Sequence, residues 1–455
     1  MKQPITRKQF LRQSAVAAGT LWALPKISVG KPVTSANDKL NVAIIGAGGM
    51  GTMCVGASRN ENIVAFCDVD TSRGAKSFQK QPQAPVYQDF RVMLDKHNQE
   101  IDVVLISTPD HTHFVATLAA MEMGKHVFVQ KPLTHDIWQA RTLQKAAQRY
   151  QVKNIMGNQG RCSDGIRQIK EWIDSGLIGD VSEVHAWTVR PYDKWRYPVD
   201  QLPPPKMPVP NDLDWDCWLG PVTTVKDYNS CYLPSRWRGW WEFGNAAMGD
   251  IGCHLLDAAY WALDLTGPVS IKSEAEAFHD LVTPSRAITT MRYPARGNKI
   301  PLTVKWYEGG NKPEIPKGFA YGEELPSEGI LIQGTKHTIF HADIRPNNPV
   351  ILMDRDQWEE FKKTELPAET ISRLPKGMGP VQELFSAIRG GPEVGSDFNY
   401  AAPLTELCCL GTLALRTGKQ VDYDPESMSF NDASLNPYIK APVRPGWEYG
   451  TNLWR

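Results

Sequence analysis

The sequence predicts an α/β fold in two parts, a parallel sheet flanked by helices followed by an α+β domain with a largely antiparallel sheet. Three observations carry that expectation. Strand-length apolar runs alternate with helical stretches from Leu40 to Met156, a pattern that gives parallel strands joined by right-handed crossovers. The first run, Val42 to Ile45, feeds glycines at 46, 48 and 51, the G-x-G-x-x-G spacing of a dinucleotide-binding turn. From Arg161 onward the alternation gives way to a proline-rich connector, a tryptophan cluster and hairpin-like strands. For 455 residues, roughly two to three domains are expected.

Composition excludes several classes of function. Lys plus Arg and Asp plus Glu both number 50, so no global field favours nucleic acid or an anionic membrane. No stretch reads as a membrane span. The eight cysteines form no C-x-x-C pair or metal spacing; most are expected to be buried small hydrophobes, and no metal site is expected.

Residues 1–36 read as an export signal and linker. Lys2, Arg7, Lys8 and Arg12 precede a mild apolar stretch, Ala15 to Leu24, with no acidic residue before Asp38, which is the n-region and h-region order of a signal peptide. Thr6-Arg7-Lys8-Gln9-Phe10-Leu11 resembles a twin-arginine (Tat) signal with Lys8 in place of the second arginine. The expected location is the periplasm or another exported compartment; a basic tail on a cytoplasmic protein is the alternative.

Residues 37–159 form the expected dinucleotide-binding domain. Gly46 makes the tight turn, Gly48 lets the backbone approach a pyrophosphate, and Gly51 permits close helix–strand packing, with Gly49 and Met50 between them. The phosphates would sit on helix N–H groups. A second strand, Ile63 to Cys67, ends at Asp68, placed for the adenosine ribose hydroxyls. A carboxylate there repels a 2′-phosphate and favours NAD, while Arg73 keeps NADP open; a loop-capping role is the plainer alternative. The strand Asp102 to Ser107 opens into Thr108-Pro109-Asp-His111-Thr-His113 and a helix from Thr112 to about Met123. The two histidines are either helix-start residues or cofactor contacts. The strand from His126 ends in Gln130-Lys131-Pro132, and the helix Ile137 to Tyr150 and strand Val152 to Met156 lead to Gln159. Gly46, Asp68, Thr108 and Lys131 all stand at strand carboxyl ends, where open α/β sheets bind ligands.

Residues 160–455 form the second domain. A helix from Gly165 to Ser175 and a strand from Val181 to Arg190 precede the connector Tyr197 to Pro210, whose six prolines forbid regular structure. Trp215, Trp218, Trp237, Trp240 and Trp241 follow, with Arg236 and Arg238 interleaved. Such side chains either fill a core or stack on sugar rings. Asp250 and His254 stand i, i+4, on one face if helical. They are the parts of a general base and its positioning group, or else a helix cap and a core histidine. Ala287 to Arg292, Leu302 to Tyr307 and the hairpin Ile330 to His341 read as strands, and helices within 381–416 are placed to pack back on the first domain.

Together, Gly46-Ala-Gly-Gly-Met-Gly, Cys67-Asp68, Ser107-Thr-Pro with His111 and His113, Gln130-Lys-Pro, and Gly249-Asp-Ile-Gly-Cys-His resemble the Gfo/Idh/MocA oxidoreductases, the glucose-fructose oxidoreductase and inositol dehydrogenase type. The resemblance covers nearly everything after the signal. It implies a Rossmann domain followed by an open-faced sheet domain, usually in a homo-oligomer. It also implies that Lys131, Asp250 and His254 surround the reacting carbon. Gln130 stands where the motif usually has Glu, which removes a negative charge beside Lys131. The expected reaction is NAD-dependent hydride transfer from a carbinol of a sugar, glycoside or polyol. In it His254 is the base, Asp250 orients it or a substrate hydroxyl, and Lys131 binds the reacting oxygen; Lys131 and His254 can exchange roles. Two other readings stay open: an NAD-retaining glycosidase that oxidises a ring carbon transiently and eliminates, and a sugar-binding protein without catalysis.

Overall fold

In the computed structural model the described residues are 38–191, 195, 202–265, 267–268 and 270–454. The Tat-like segment and the start of the proline-rich connector lie outside them; from 202 to 210 the connector has no regular structure.

The first sheet contains β1 (Asn41–Ile45), β2 (Asn62–Cys67), β3 (Val86–Tyr87), β4 (Val103–Ile106), β5 (His126–Gln130) and β6 (Asn154–Gly157) in the order β3-β2-β1-β4-β5-β6. Every pairing is parallel. Helices α1 (Gly51–Ala57), α2 (Thr71–Phe78), α3 (Phe90–Lys96), α4 (Asp110–Glu122) and α5 (Ile137–Tyr150) make the crossovers. β4 is buried at all four positions, which is why it reads as an unbroken apolar run rather than an alternating one. The order reverses between β1 and β4, and the loops at that switch point bound the site.

Helix α4 begins at Asp110, two residues before the expected Thr112, because Pro109 already holds an extended conformation at the cap and Asp110 supplies an acid to the first turn. His111 and His113 are therefore inside the helix. β6 starts at Asn154 rather than Val152, since its pairing with β5 begins at Val127.

The second domain has α6 (Asp164–Asp174), β7 (Val181–Trp187), α7 (Trp215–Leu219), α8 (Cys253–Ala262) and then β8 (Ser270–Ala275), β9 (Ala287–Tyr293), β10 (Leu302–Glu308), β11 (Gly329–Gly334), β12 (Thr338–Ala342) and β13 (Val350–Ile351). Its sheet runs β13-β12-β11-β7-β10-β9-β8. Only β7 and β10 are parallel; the other pairings are antiparallel. β9 alternates buried Ala287, Thr289, Met291 and Tyr293 with more exposed neighbours, the period-two signature of a sheet covered mainly on one face. β7 stops at Trp187, short of the expected Arg190, and Thr188 and Arg190 become the loop that enters the site.

Three helices follow, α9 (Arg355–Thr364), α10 (Pro380–Ile388) and α11 (Phe398–Thr417). α11 begins six residues before the expected Leu404. Asp397 caps it by accepting from Tyr400 N, and Pro403 lies within its early turns. α11 returns to the first domain: Glu406 pairs with Arg141 of α5, and Thr405 accepts from Leu133 N at 3.1 Å.

Candidate active site

A cleft of about 540 Å³ opens along the carboxyl edge of the parallel sheet, under the tryptophan-bearing segment. Its size is that of a small-molecule site. One end is the glycine turn. Gly46 holds φ +79° and Gly49 φ +54°, conformations that glycine adopts at no steric cost. A Cβ on Gly51 would stand 1.8 Å from Gly46 O, and one on Gly48 would stand 2.9 Å from Arg73 O. Both positions exclude any side chain. Asp68, at the end of β2, accepts from Ala47 N (2.9 Å) and Gly48 N (3.0 Å) while lining the cleft. It therefore fixes the turn as well as facing a ligand. Burial pushes its carboxyl up, against the pull of the Asp70, Gly48 and Ala47 amides.

The middle of the cleft has Thr108, Pro109, Gln130 and Gln159 in its wall. Thr108 Oγ1, Gln130 Nε2 and Gln159 Nε2 are buried with no protein partner. Buried polar groups are nearly always hydrogen-bonded, so three orphans in one wall point to a polar ligand. With the glycine cradle, they fit a nicotinamide dinucleotide: Gly46 to Gly51 at its phosphates and the orphans further along.

At the far end Lys131, Asp250 and His254 converge. Lys131 Nζ donates to Asp250 Oδ1 at 2.6 Å. Arg238 Nε donates to the same oxygen at 2.9 Å, and Arg190 lies 3.6 Å from Oδ2. Burial pushes Asp250 up, but Arg238 and Lys131, with Arg190, outweigh it and hold the carboxyl well below its usual range. Asp250 is ionised. Burial first, and then the charge on Lys131, drive His254 well below its ordinary value, so its imidazole is neutral.

Of the two expected roles for Asp250, orienting His254 or a substrate hydroxyl, the first is not seen: its partners are Lys131, Arg238 and Arg190. Met248–Gly252 is a π-helical segment that passes into α8 at Cys253, so the α-helical i, i+4 relation is lost. His254 Nδ1 instead meets Asn158 Oδ1 at 2.6 Å. Asn158 Nδ2 donates to Cys253 O (2.7 Å) and Asp257 Oδ2 (2.9 Å). With both amide hydrogens committed, Asn158 Oδ1 faces His254 as an acceptor. The imidazole proton then sits on Nδ1, and Nε2 keeps its lone pair. Asp257 in turn accepts from Tyr400 and lies 3.8 Å from Arg161.

His111 and His113, expected as candidate cofactor contacts, do not line the cleft. Both are buried in α4, His111 between Trp218 O and Phe243 O and His113 between Pro132 O and Thr108 O. Burial pushes each down to about 4. They tie the start of α4 to neighbouring loops. Among the tryptophans, Trp218 and Trp237 line the cleft. Trp215 stacks on Trp218 with centroids 4.8 Å apart, and Tyr232 meets Trp240 at the same distance, so Trp215 and Trp240 belong to an aromatic core behind the wall. Asn158, Arg190, Arg238 and Arg345 are site residues the motifs do not identify. Only Arg238, placed among the tryptophans, gave a signal. Among the described residues no cluster fits a metal ion, and no helix is long and apolar enough to cross a membrane.

Comparison with known proteins agrees with this geometry. Residues 40–158 match the oxidoreductase family model described as an NAD-binding Rossmann fold, and residues 163–321 match that family's C-terminal alpha/beta domain. The chain is 26% identical over 246 residues to D-glucoside 3-dehydrogenase of Escherichia coli, covering 52% of this chain and 57% of the relative. It is 28% identical over 153 residues to inositol 2-dehydrogenase of Salmonella typhimurium, covering 32% and 45%. The matched stretches thus span about half the length of these relatives. Among solved structures, the fold resembles an inositol dehydrogenase homolog from Azotobacter vinelandii complexed with NAD+. There the TM-score is 0.58 at 18% identity, over 87% of this chain and 99% of that one. It also resembles the WlbA dehydrogenase of Bordetella pertussis in complex with NADH and UDP-GlcNAcA, with TM-score 0.58 at 15% identity over 85% and 99%. The two family matches together span more than half of the chain, from the glycine turn through the site loops: the chain belongs to the Gfo/Idh/MocA oxidoreductase family, with an NAD-binding Rossmann domain at its front.

Proposed function

We propose that this protein is an NAD-dependent dehydrogenase that oxidises a secondary carbinol of a sugar, glycoside or polyol. The observation that carries the reading is the arrangement at the far end of the cleft. A neutral His254 with its Nε2 lone pair available stands beside the Lys131–Asp250 ion pair, in the same cleft as the glycine cradle. Bound NAD supplies the hydride acceptor. His254 Nε2 takes the hydroxyl proton as the carbinol C–H leaves as hydride, so the substrate loses one proton and one hydride. Lys131 donates to the reacting oxygen, and Asp250 holds the ammonium in place. Asn158 holds the imidazole in the tautomer that proton abstraction requires. Trp218 and Trp237 offer apolar faces to a sugar ring.

The named relatives support oxidation as the net reaction. D-Glucoside 3-dehydrogenase and inositol 2-dehydrogenase are dehydrogenases by name, and the elimination alternative draws no support from them. The reading retains export, from the basic and apolar order of residues 1–36, and a homo-oligomer. Purified protein mixed with NAD and a panel of glycosides and inositols is the test. Formation of one reduced nicotinamide per substrate oxidised is expected. Glycoside cleavage with no net NADH would replace this reading with the elimination one, and sugar binding without either would reduce the protein to a binding module.

A further inference from the structure

We propose that the substrate end of the cleft takes a sugar bearing an anionic oxygen group, a carboxylate or a phosphate, held by Arg345. The proposal rests on the reading of this cleft as a sugar-oxidising site and specifies its substrate class.

The two ends of the cleft differ in charge. At the glycine end one cation, Arg73, meets two carboxylates, Asp68 and Asp70. At the other end, Lys131, Arg190, Arg238 and Arg345 face Asp110 and Asp250. Glu328 adds one carboxylate from behind Arg190. With every carboxylate ionised, four cations still exceed three anions. Burial pushes Asp110 up to about 7 against the pull of Arg238 and Lys131, which weakens its share of the negative charge near neutral pH. Gln130 supplies no further carboxylate to this count: its side chain is buried and neutral beside Lys131, where the family motif usually places Glu.

The surplus cation can be named. Asp250 is shared by Lys131, Arg238 and Arg190, and Glu328 is taken by Arg190 and by Thr188 Oγ1 at 2.7 Å. Arg345 has no carboxylate partner among the described residues. It comes from the loop after β12 and lies against Gly160, where a Cβ would stand 4.0 Å from Arg345 Cα and Cγ. That is the turn following β6 and Gln159. Its charge reaches the reaction centre, since it is one of the groups that depress His254. Most exposed arginines are merely solvated. This one is exposed at the mouth of the cleft, at the end where the other three cations are already matched by three carboxylates, and within electrostatic reach of the base. A planar guanidinium matches carboxylate and phosphate through paired, charge-assisted hydrogen bonds. A neutral sugar would leave that charge uncompensated.

The test is equilibrium binding to the NAD-loaded full-length protein, read by tryptophan fluorescence or calorimetry. The probes are methyl β-D-glucuronide, glucose 6-phosphate and methyl β-D-glucoside. At low ionic strength at least one anionic sugar is expected to bind about tenfold or more tighter than the neutral glucoside. The preference should shrink with added salt. In Arg345→Gln the ratio of anionic to neutral affinity should fall about tenfold, and Arg345→Lys, which keeps charge without the fork, should fall between. The two anionic arms identify carboxylate or phosphate as the recognised group. Equal binding of all three sugars, binding of none, or a preference unchanged in Arg345→Gln would overturn the proposal. Because binding is read without turnover, the two readings fail separately. Arg345-dependent anion preference without NADH formation would overturn the dehydrogenase reading alone. NADH formed from neutral sugars with no anion preference would overturn this one alone.

Discussion

Asn158 holds the His254 imidazole from a position that no motif marks. It follows β6 and commits its amide hydrogens to Cys253 O and Asp257, leaving its oxygen for the imidazole. Asn158→Ala should lower kcat/KM by on the order of 10- to 100-fold, part of the 10²–10⁴ a positioned base contributes, with NAD affinity retained. Asn158→Asp gives a sharper outcome. A carboxylate at Nδ1 favours the protonated imidazole and raises its pKa, so the acid limb of the kcat/KM profile should move to higher pH. An unmoved limb would show that Asn158 serves only packing. Lys131, Asp250 and His254 all line the cleft, and they were legible through the family resemblance of their motifs, since by spacing alone Asp250 and His254 read as well as a helix cap and a core histidine. Their partners were not. An asparagine as orienter is indistinguishable on paper from any loop asparagine. His111 and His113 erred the other way, having the right residue type at a strand end while a helix start turns their rings onto backbone carbonyls.

Elements were legible where one periodicity ruled and obscure where local signals conflicted. Helix α5 spans Ile137–Tyr150 as its pattern predicts. β8 and α9 left too little signal: β8 mixes charged residues into a short strand, and α9 buries only Trp358 fully. Pro403 hid the first turns of α11, although near a helix start few of its backbone bonds are lost. The π-helical segment at Met248–Gly252 has no sequence signature at all, yet it sends Asp250 to Lys131 and His254 to Asn158. Helix α11 is tied to α5 by Arg141 and Glu406, the latter 5% exposed. Arg141→Ala would strand that carboxylate and should cost about 2–3 kcal/mol in denaturant unfolding. This lies below the usual loss for a fully buried pair because Arg141 is partly solvated. An Arg141→Met, Glu406→Leu double variant should recover part of the loss. A single variant as stable as the parent would mean that the tie contributes nothing.

At the scale of the whole molecule, buried titratable groups make stability depend on pH. Burial holds His111, His113, His126, His135 and His341 down near 4. The unfolded chain therefore binds their protons first as pH falls through 6.5, and stability is lost between about 6.5 and 4. Burial pushes Asp110, Asp136 and Glu308 up to about 7, so they oppose this by favouring the folded state on acidification. His185 and His254, also pushed down, and Asp68 and Asp257, also pushed up, extend the two sides alike, so seven histidines outnumber five carboxyls. The Tm should fall by roughly 3–5 °C between pH 7 and pH 5, and a Tm that rises over that interval would contradict this balance.

If His254 is the base of the proposed hydride transfer to NAD, its removal should stop the chemistry and spare the cofactor. Single-turnover formation of reduced nicotinamide by His254→Ala, with NAD binding verified on the same sample, tests it most directly. A loss of two orders of magnitude or more in the rate is expected, on the scale of a removed general base, with cofactor affinity unchanged. Near-normal turnover by His254→Ala with NAD bound would contradict it and pass the role to Lys131.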